Sequence, residues 1–176
     1  MKKNNLFIKE YILQALLDLM KEKDFKDISI TEITKKAGVS RMAYYRNYYY
    51  KEDILENYMT ELLEKYEKIR NKIVEEHPDS KYKLMLYVFQ YFQENENFVL
   101  CLEKSNLSNI IQNRINEYVH EIYKSDDTFD IYDAIIFGGA LYNTGKYWLL
   151  TGRKEDIHDI TRIFVNRMFP EEKETN

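Results

Sequence analysis

One cysteine, two prolines and five glycines in 176 residues leave little room for several kinds of protein. A lone Cys101 cannot close an intramolecular disulfide, so a reducing compartment, the cytoplasm, is the expected location. So few chain breakers, with Leu, Ile, Lys, Glu and Tyr recurring at three- and four-residue spacings, argue against a turn-rich β architecture. They predict an all-α fold of about nine helices. No apolar run reaches the roughly 18 to 20 residues of a membrane span, and no membrane partner is expected. The opening stretch MKKNNLFIKEYILQALLDLM has a basic leader, but Lys9, Glu10, Gln14 and Asp18 interrupt it at helical intervals. It reads as an amphipathic helix of the folded protein and not as a signal peptide.

The usual marks of catalysis are missing as well. GALYNTGK, Gly139 to Lys146, resembles a phosphate-binding loop but has five residues between its glycines where that loop has four, and Tyr147 where it needs Ser or Thr. His77, His120, His158 and Cys101 are scattered without metal-ligand spacing, and no Gly-x-Ser-x-Gly elbow occurs. No metal, no cofactor and no enzymatic activity is expected.

What the chain does have is an uneven distribution of charge. Residues 1–50 carry ten Lys or Arg against six Asp or Glu, and the remaining residues sixteen against twenty-four, so a basic N-terminal piece precedes an acidic remainder. The basic piece is patterned. Ile8, Ile12, Ala15 and Leu19 place a first helix over about 6–22. Ser29 followed by Glu32 forms a capping box, with Ile28 and Ile33 as a hydrophobic staple, and starts a second helix near Ile30. Ala37-Gly38 closes it, and Ser40 caps a third, short helix. Two short helices around a glycine turn form a helix-turn-helix, whose second helix can enter a DNA major groove.

On that helix Arg41 and Met42 lie at the groove-facing end, where an arginine can grip guanine O6 and N7 with two hydrogen bonds. Tyr44 and Tyr48, four apart, face inward with Ile33, Ala37 and Val39, leaving Tyr45 and Asn47 outward to bond phosphates. Lys51 adds its charge and the positive end of the fourth helix to a backbone contact. That helix runs to about Glu76 on a stripe of Leu55, Met59, Leu62, Tyr66, Ile69 and Ile73. A break at HPDS follows, then helices near 80–94, 97–103 and 106–124, a loop at SDDT, and helices near 129–151 and 155–169. The expected division is a helix-turn-helix domain over 1–50 and a helical effector-binding and dimerisation domain over 51–176.

ISITEITKKAGVSRMAYYRNYYYKEDIL resembles the N-terminal signature of the TetR family of bacterial transcriptional regulators. That signature has an apolar-Thr start, I-A-x-x-A-G-V-S, Tyr-x-x-Phe and Lys-Glu-Asp-Leu. The likeness covers about residues 6–55 and is carried by Ile33, Ala37, Gly38, Val39, Ser40, Tyr45, Tyr48 and Lys51. It implies a homodimeric regulator, a repressor, that binds palindromic double-stranded operator DNA and is released or modulated by an unknown small-molecule effector. The DNA-binding set it implies is Ser29, Thr31, Ser40, Arg41, Met42, Ala43, Tyr45, Arg46, Asn47 and Lys51. Three positions depart from the family: Thr34 stands where alanine is usual, Tyr48 where Phe is usual, and Ala43 where a phosphate-binding Thr or Ser is common. Tyr49 and Tyr50 either replace the lost hydroxyl or pack on the first helix, and packing is the expectation.

The segment YDAIIFGGALYNTGKYWLLTGRKEDIHDITRIFVNRM resembles the C-terminal helix pair of one bacterial subgroup, which builds a four-helix bundle with a second subunit. This implies a homodimer seam of Ile135, Gly138, Gly139, Leu141, Ile160 and Phe164. An effector pocket is expected among Met85, Phe89, Phe92, Cys101, His120, Tyr142 and Trp148, an aromatic-rich set that plain core packing would also explain. The alternative function is a helical regulator that keeps the fold but binds another protein instead of DNA.

Overall fold

The computed structural model describes residues 2–123 and 131–170, and these are all-α. The described helices are α1 (Lys2–Glu22), α2 (Ile30–Ala37), α3 (Arg41–Tyr45), α4 (Glu52–Glu76), α5 (Lys81–Glu94), α6 (Glu96–Lys104), α7 (Asn109–Tyr123), α8 (Ile131–Leu150) and α9 (Ile157–Met168), with a 3-10 turn at Phe25–Asp27. The expected SDDT loop lies outside the described residues.

Helix ends follow side-chain chemistry that is visible in the chain. The Ser29 hydroxyl accepts from the Glu32 amide while the Glu32 carboxylate accepts from the Ser29 amide, completing the capping box of α2. Gly38 closes α2 at φ 66°, a left-handed conformation that costs glycine little. Ser40, Ser80 and Asp156 cap α3, α5 and α9 in the same manner, each accepting from an amide of the first turn.

Residue contacts divide the chain into two compact units. The first comprises Met1–Leu62 with Cys101–Ile110, and the second Leu63–Leu100 with Ile111 onward. The junction expected at 50/51 therefore lies inside the first unit, and α4 contributes to both. Its apolar stripe is correspondingly uneven: Leu55, Met59 and Leu62 are buried, Tyr66 is half-buried and Ile69 is exposed.

In the first unit α1 packs on α2 and α3. Ile12, Leu16 and Met20 of α1, with Ile33, Tyr44, Ile54, Leu55 and Leu102, are withdrawn from water and form its core. Thr34, the departure from the family's alanine, is also buried, and its hydroxyl donates to the Thr31 carbonyl at 3.1 Å. The extra polar group is thereby satisfied within its own helix.

In the second unit α5 packs against α8 and α9. Phe89 meets the edges of Trp148 and Phe164 at ring separations of 6.1 and 5.7 Å. Gly145 of α8 lets Phe92 approach so closely that a Cβ there would stand 2.9 Å from three ring atoms. Phe92 is itself buried, so its ring has nowhere to swing. Gly145→Ala is therefore expected to lower stability by about 1–3 kcal/mol as an overpacking change, read from the urea midpoint. Gly138→Ala, which meets only the movable Asn116 amide oxygen, is expected to cost less.

Candidate functional site

The face offered by the helix-turn-helix is set by what α3 buries. Tyr44 is 0 % exposed and Tyr48, in the turn beyond, is nearly as closed, so their side of the segment belongs to the core. Burial pushes the Tyr44 phenol up to about 12 and raises that of Tyr48 as well. Met42, Tyr45 and Arg46 consequently stand outward and exposed, with the Arg46 guanidinium donating to the Met42 sulfur at 3.5 Å.

Arg41 is exposed at the first turn of α3, and its guanidinium donates to the Thr31 hydroxyl of α2 at 2.6 Å. The bond spans the turn of the motif and orients the planar fork. Ser40 and Ser29 use their hydroxyl oxygens as caps, and Ser29 also donates to Glu32. Glu32 is held near 2, first by its hydrogen bond from Lys23 and then by those from the Ser29 amide and hydroxyl. Ala43 is half-buried and supplies no side-chain donor.

Two expected phosphate contacts turn back into the protein. Asn47 is half-buried, and its amide donates to the Ala43 carbonyl at 2.9 Å, capping the end of its own helix. Lys51 departs further from expectation. Its ammonium donates to the carbonyls of Phe25, Lys26 and Ile28 at 2.6, 3.0 and 2.9 Å and lies 4.6 Å from the centre of the Phe25 ring. An ammonium has three N–H groups, and here three carbonyls take them. The cause is non-local: the 3-10 turn at Phe25–Asp27 presents its carbonyls where α4 begins.

Tyr49 and Tyr50, expected to pack on the first helix, instead stand 79 % and 70 % exposed. Their amides both donate to one oxygen of Asp53, at 2.8 and 2.9 Å, so the backbone is fixed while the rings project.

The residues named for a pocket separate. Met85, Phe89, Phe92, Tyr142 and Trp148 are buried in the second unit, where the Trp148 indole donates to the Glu155 carbonyl; His120 is half-buried on α7. Cys101 belongs to the first unit, where its thiol donates to the Leu17 carbonyl of α1 and burial raises its pKa. The chain pattern missed a cluster of four tyrosines in the second unit. Tyr66 of α4 stacks on Tyr87 at 5.5 Å and meets Tyr91 and Tyr118, and the hydroxyls of Tyr87 and Tyr118 are buried without a hydrogen-bond partner. Spacing along any single helix carries no signal for it, because three helices contribute. Among the described residues no group of three His, Cys, Asp or Glu is placed to hold a metal.

The expected seam divides too. Leu141, Ile160 and Phe164 are buried in their own unit, and Gly138 faces Asn116. Ile135 is exposed and Gly139 has open space before it. Beside them lies an apolar stripe that the spacing argument passed over: Tyr132, Ile136, Tyr147 and Leu150 on α8, with Ile163 exposed on α9.

If Lys51 acts as a clamp on the 3-10 turn, Lys51→Met is expected to lower stability by about 1–3 kcal/mol, because three carbonyls lose a charged donor. Urea unfolding checks it; an unchanged midpoint would mean the ammonium is free for another partner.

No family model matches this chain, and no curated protein matches it. Among solved structures it is similar to a TetR transcriptional regulator from Streptococcus agalactiae 2603V, at 17% identity with a TM-score of 0.59, over 95% of this chain and 96% of that one. At that identity the shared property is the fold. No helix among the described residues is long and apolar enough to cross a membrane.

Proposed function

We infer that the chain is a cytoplasmic, homodimeric DNA-binding transcriptional regulator, a repressor, in which each helix-turn-helix reads half of a palindromic operator. The observation that carries this reading is the outward face of α3. Arg41, Met42, Tyr45 and Arg46 project from a helix whose other side is sealed by Tyr44, immediately after a left-handed Gly38 turn. A solved regulator with the same fold supports it. Arg41, braced by Thr31, suits base reading, whereas Lys51 and Asn47 position the segment from inside.

The dimer reading rests on α8. That helix is apolar almost all round, with Phe137, Leu141, Trp148 and Leu149 buried while Ile135, Ile136, Tyr147 and Leu150 remain in water. A helix hydrophobic on all sides is ordinarily covered on all sides. A two-fold partner covers this one, and two-fold symmetry is what a palindrome requires. For a small-molecule effector, the Tyr66, Tyr87, Tyr91 and Tyr118 cluster is the favoured place, since two buried hydroxyls there have no protein partner.

The test of DNA binding is a gel shift on the DNA upstream of the protein's own gene, followed by selection from random duplexes. Arg41→Ala is expected to cost about 1–3 kcal/mol at one base pair and to relax preference there. An unchanged base profile removes Arg41 from the reading, and no shift on any duplex favours the protein-binding alternative.

Light scattering is expected to find a dimer at micromolar concentration for the wild type and a monomer for Ile136→Glu. The change is made at an exposed position, so the monomer fold should survive it. A wild-type monomer would refute the seam.

A further inference from the structure

We propose that Tyr49 and Tyr50 form a neutral hydroxyl clamp on the sugar-phosphate backbone of DNA, an uncharged contact in the turn that Arg46 opens with its charge. The proposal rests on the DNA-binding reading above. Among the described residues these are the two most exposed large aromatic or aliphatic side chains, and they lie in the turn between α3 and α4.

The turn has one exposed cation, Arg46 at its start, whose guanidinium donates to the Met42 sulfur. Lys51 directs all three N–H groups at carbonyls, and the residues that follow are Glu52 and Asp53. Asp53 is occupied by the amides of Tyr49 and Tyr50. Ala43 has no hydroxyl, and Asn47 has turned inward. Beyond Arg46, the exposed side-chain donors of the turn are the phenols of Tyr49 and Tyr50.

The geometry favours that use. Asp53 fixes both tyrosine backbones before any ligand arrives, and a tyrosine has only two side-chain torsions to order, so the entropic cost of engaging DNA is small. A phenol O–H donating to a phosphate oxygen positions the protein without reading sequence. Being uncharged, it displaces no condensed counterion, which separates it from a lysine contact.

The experiment takes a duplex selected by the wild-type protein and measures Kd across a range of KCl concentrations for wild type, Tyr49→Phe/Tyr50→Phe and Tyr49→Ala/Tyr50→Ala. The phenylalanine pair is expected to lose affinity by about 5- to 100-fold through two solvent-exposed hydrogen bonds from uncharged donors. The salt slope, the base preference and the urea midpoint should not move. The alanine pair is expected to lose at least as much.

Binding by the phenylalanine pair within twofold of wild type overturns the clamp while leaving DNA binding intact, as does loss confined to the alanine pair, which would assign the role to the rings. A salt slope reduced by about one also overturns it, because the contact would then be ionic. Wild-type protein that binds no duplex overturns both this proposal and the reading beneath it.

Discussion

A helix of five residues has no stability of its own, and α3 exists because its neighbours hold it. Nucleation of a single turn is unfavourable in isolation, so the orientation of so short a segment must come from tertiary contacts. Tyr44 supplies the main one, sunk in the core with its ring against Tyr45 on one side and Tyr48 on the other. Ser40 fixes where the helix starts and Gly38 fixes the direction from which the chain arrives. With the inner face occupied, Met42, Tyr45 and Arg46 have no alternative but to face out. Every functional statement about the first unit depends on that single burial.

The turn after α3 shows why net charge is a poor guide to which cations meet a partner. The first fifty residues are basic in balance, yet Lys23 is tied to Glu32 and Lys36 to Glu22, and Lys51 just beyond serves backbone carbonyls. Basic side chains here do structural work at least as often as they stay open to solvent. Arg41 differs because its planar fork can donate to Thr31 and still present further N–H groups in a fixed plane. The proposed base reading therefore falls to it and not to the lysines.

The helices, their caps and the glycine turn were legible because each depends on residues within one or two turns of chain. The capping box at Ser29 and Glu32 and the closure at Gly38 are local chemistry, and the structure reproduces both. What could not be read was non-local. Lys51 meets carbonyls twenty-three to twenty-six positions away, and nothing in its neighbourhood along the chain announces them. Cys101 and Trp148 are both apolar neighbours of aromatic stretches, but they belong to different compact units. On α8 the difficulty is of another kind. A helix apolar nearly all round has no hydrophobic face to detect, so periodicity could not say that Leu141 turns inward while Ile136 and Tyr147 turn outward.

Tyrosine, present sixteen times, explains much of that ambiguity. An apolar ring with a polar tip is acceptable in a core, in a packed cluster or at a surface awaiting a partner, so the residue type alone says little about its place. The three uses are separated here by burial. Tyr44 and Tyr48 anchor α3, and Tyr66, Tyr87, Tyr91 and Tyr118 pack on one another. Tyr45, Tyr49 and Tyr50 project at the head, and Tyr132 and Tyr147 project on α8. Among the described side chains the exposed ones, Tyr11 apart, thus fall on the two surfaces for which a partner is proposed, DNA at one and a second copy of the chain at the other. Rigid amphipathic side chains suit both, because each partner requires a large contact area ordered at little entropic cost together with a hydroxyl that can be satisfied when water is expelled.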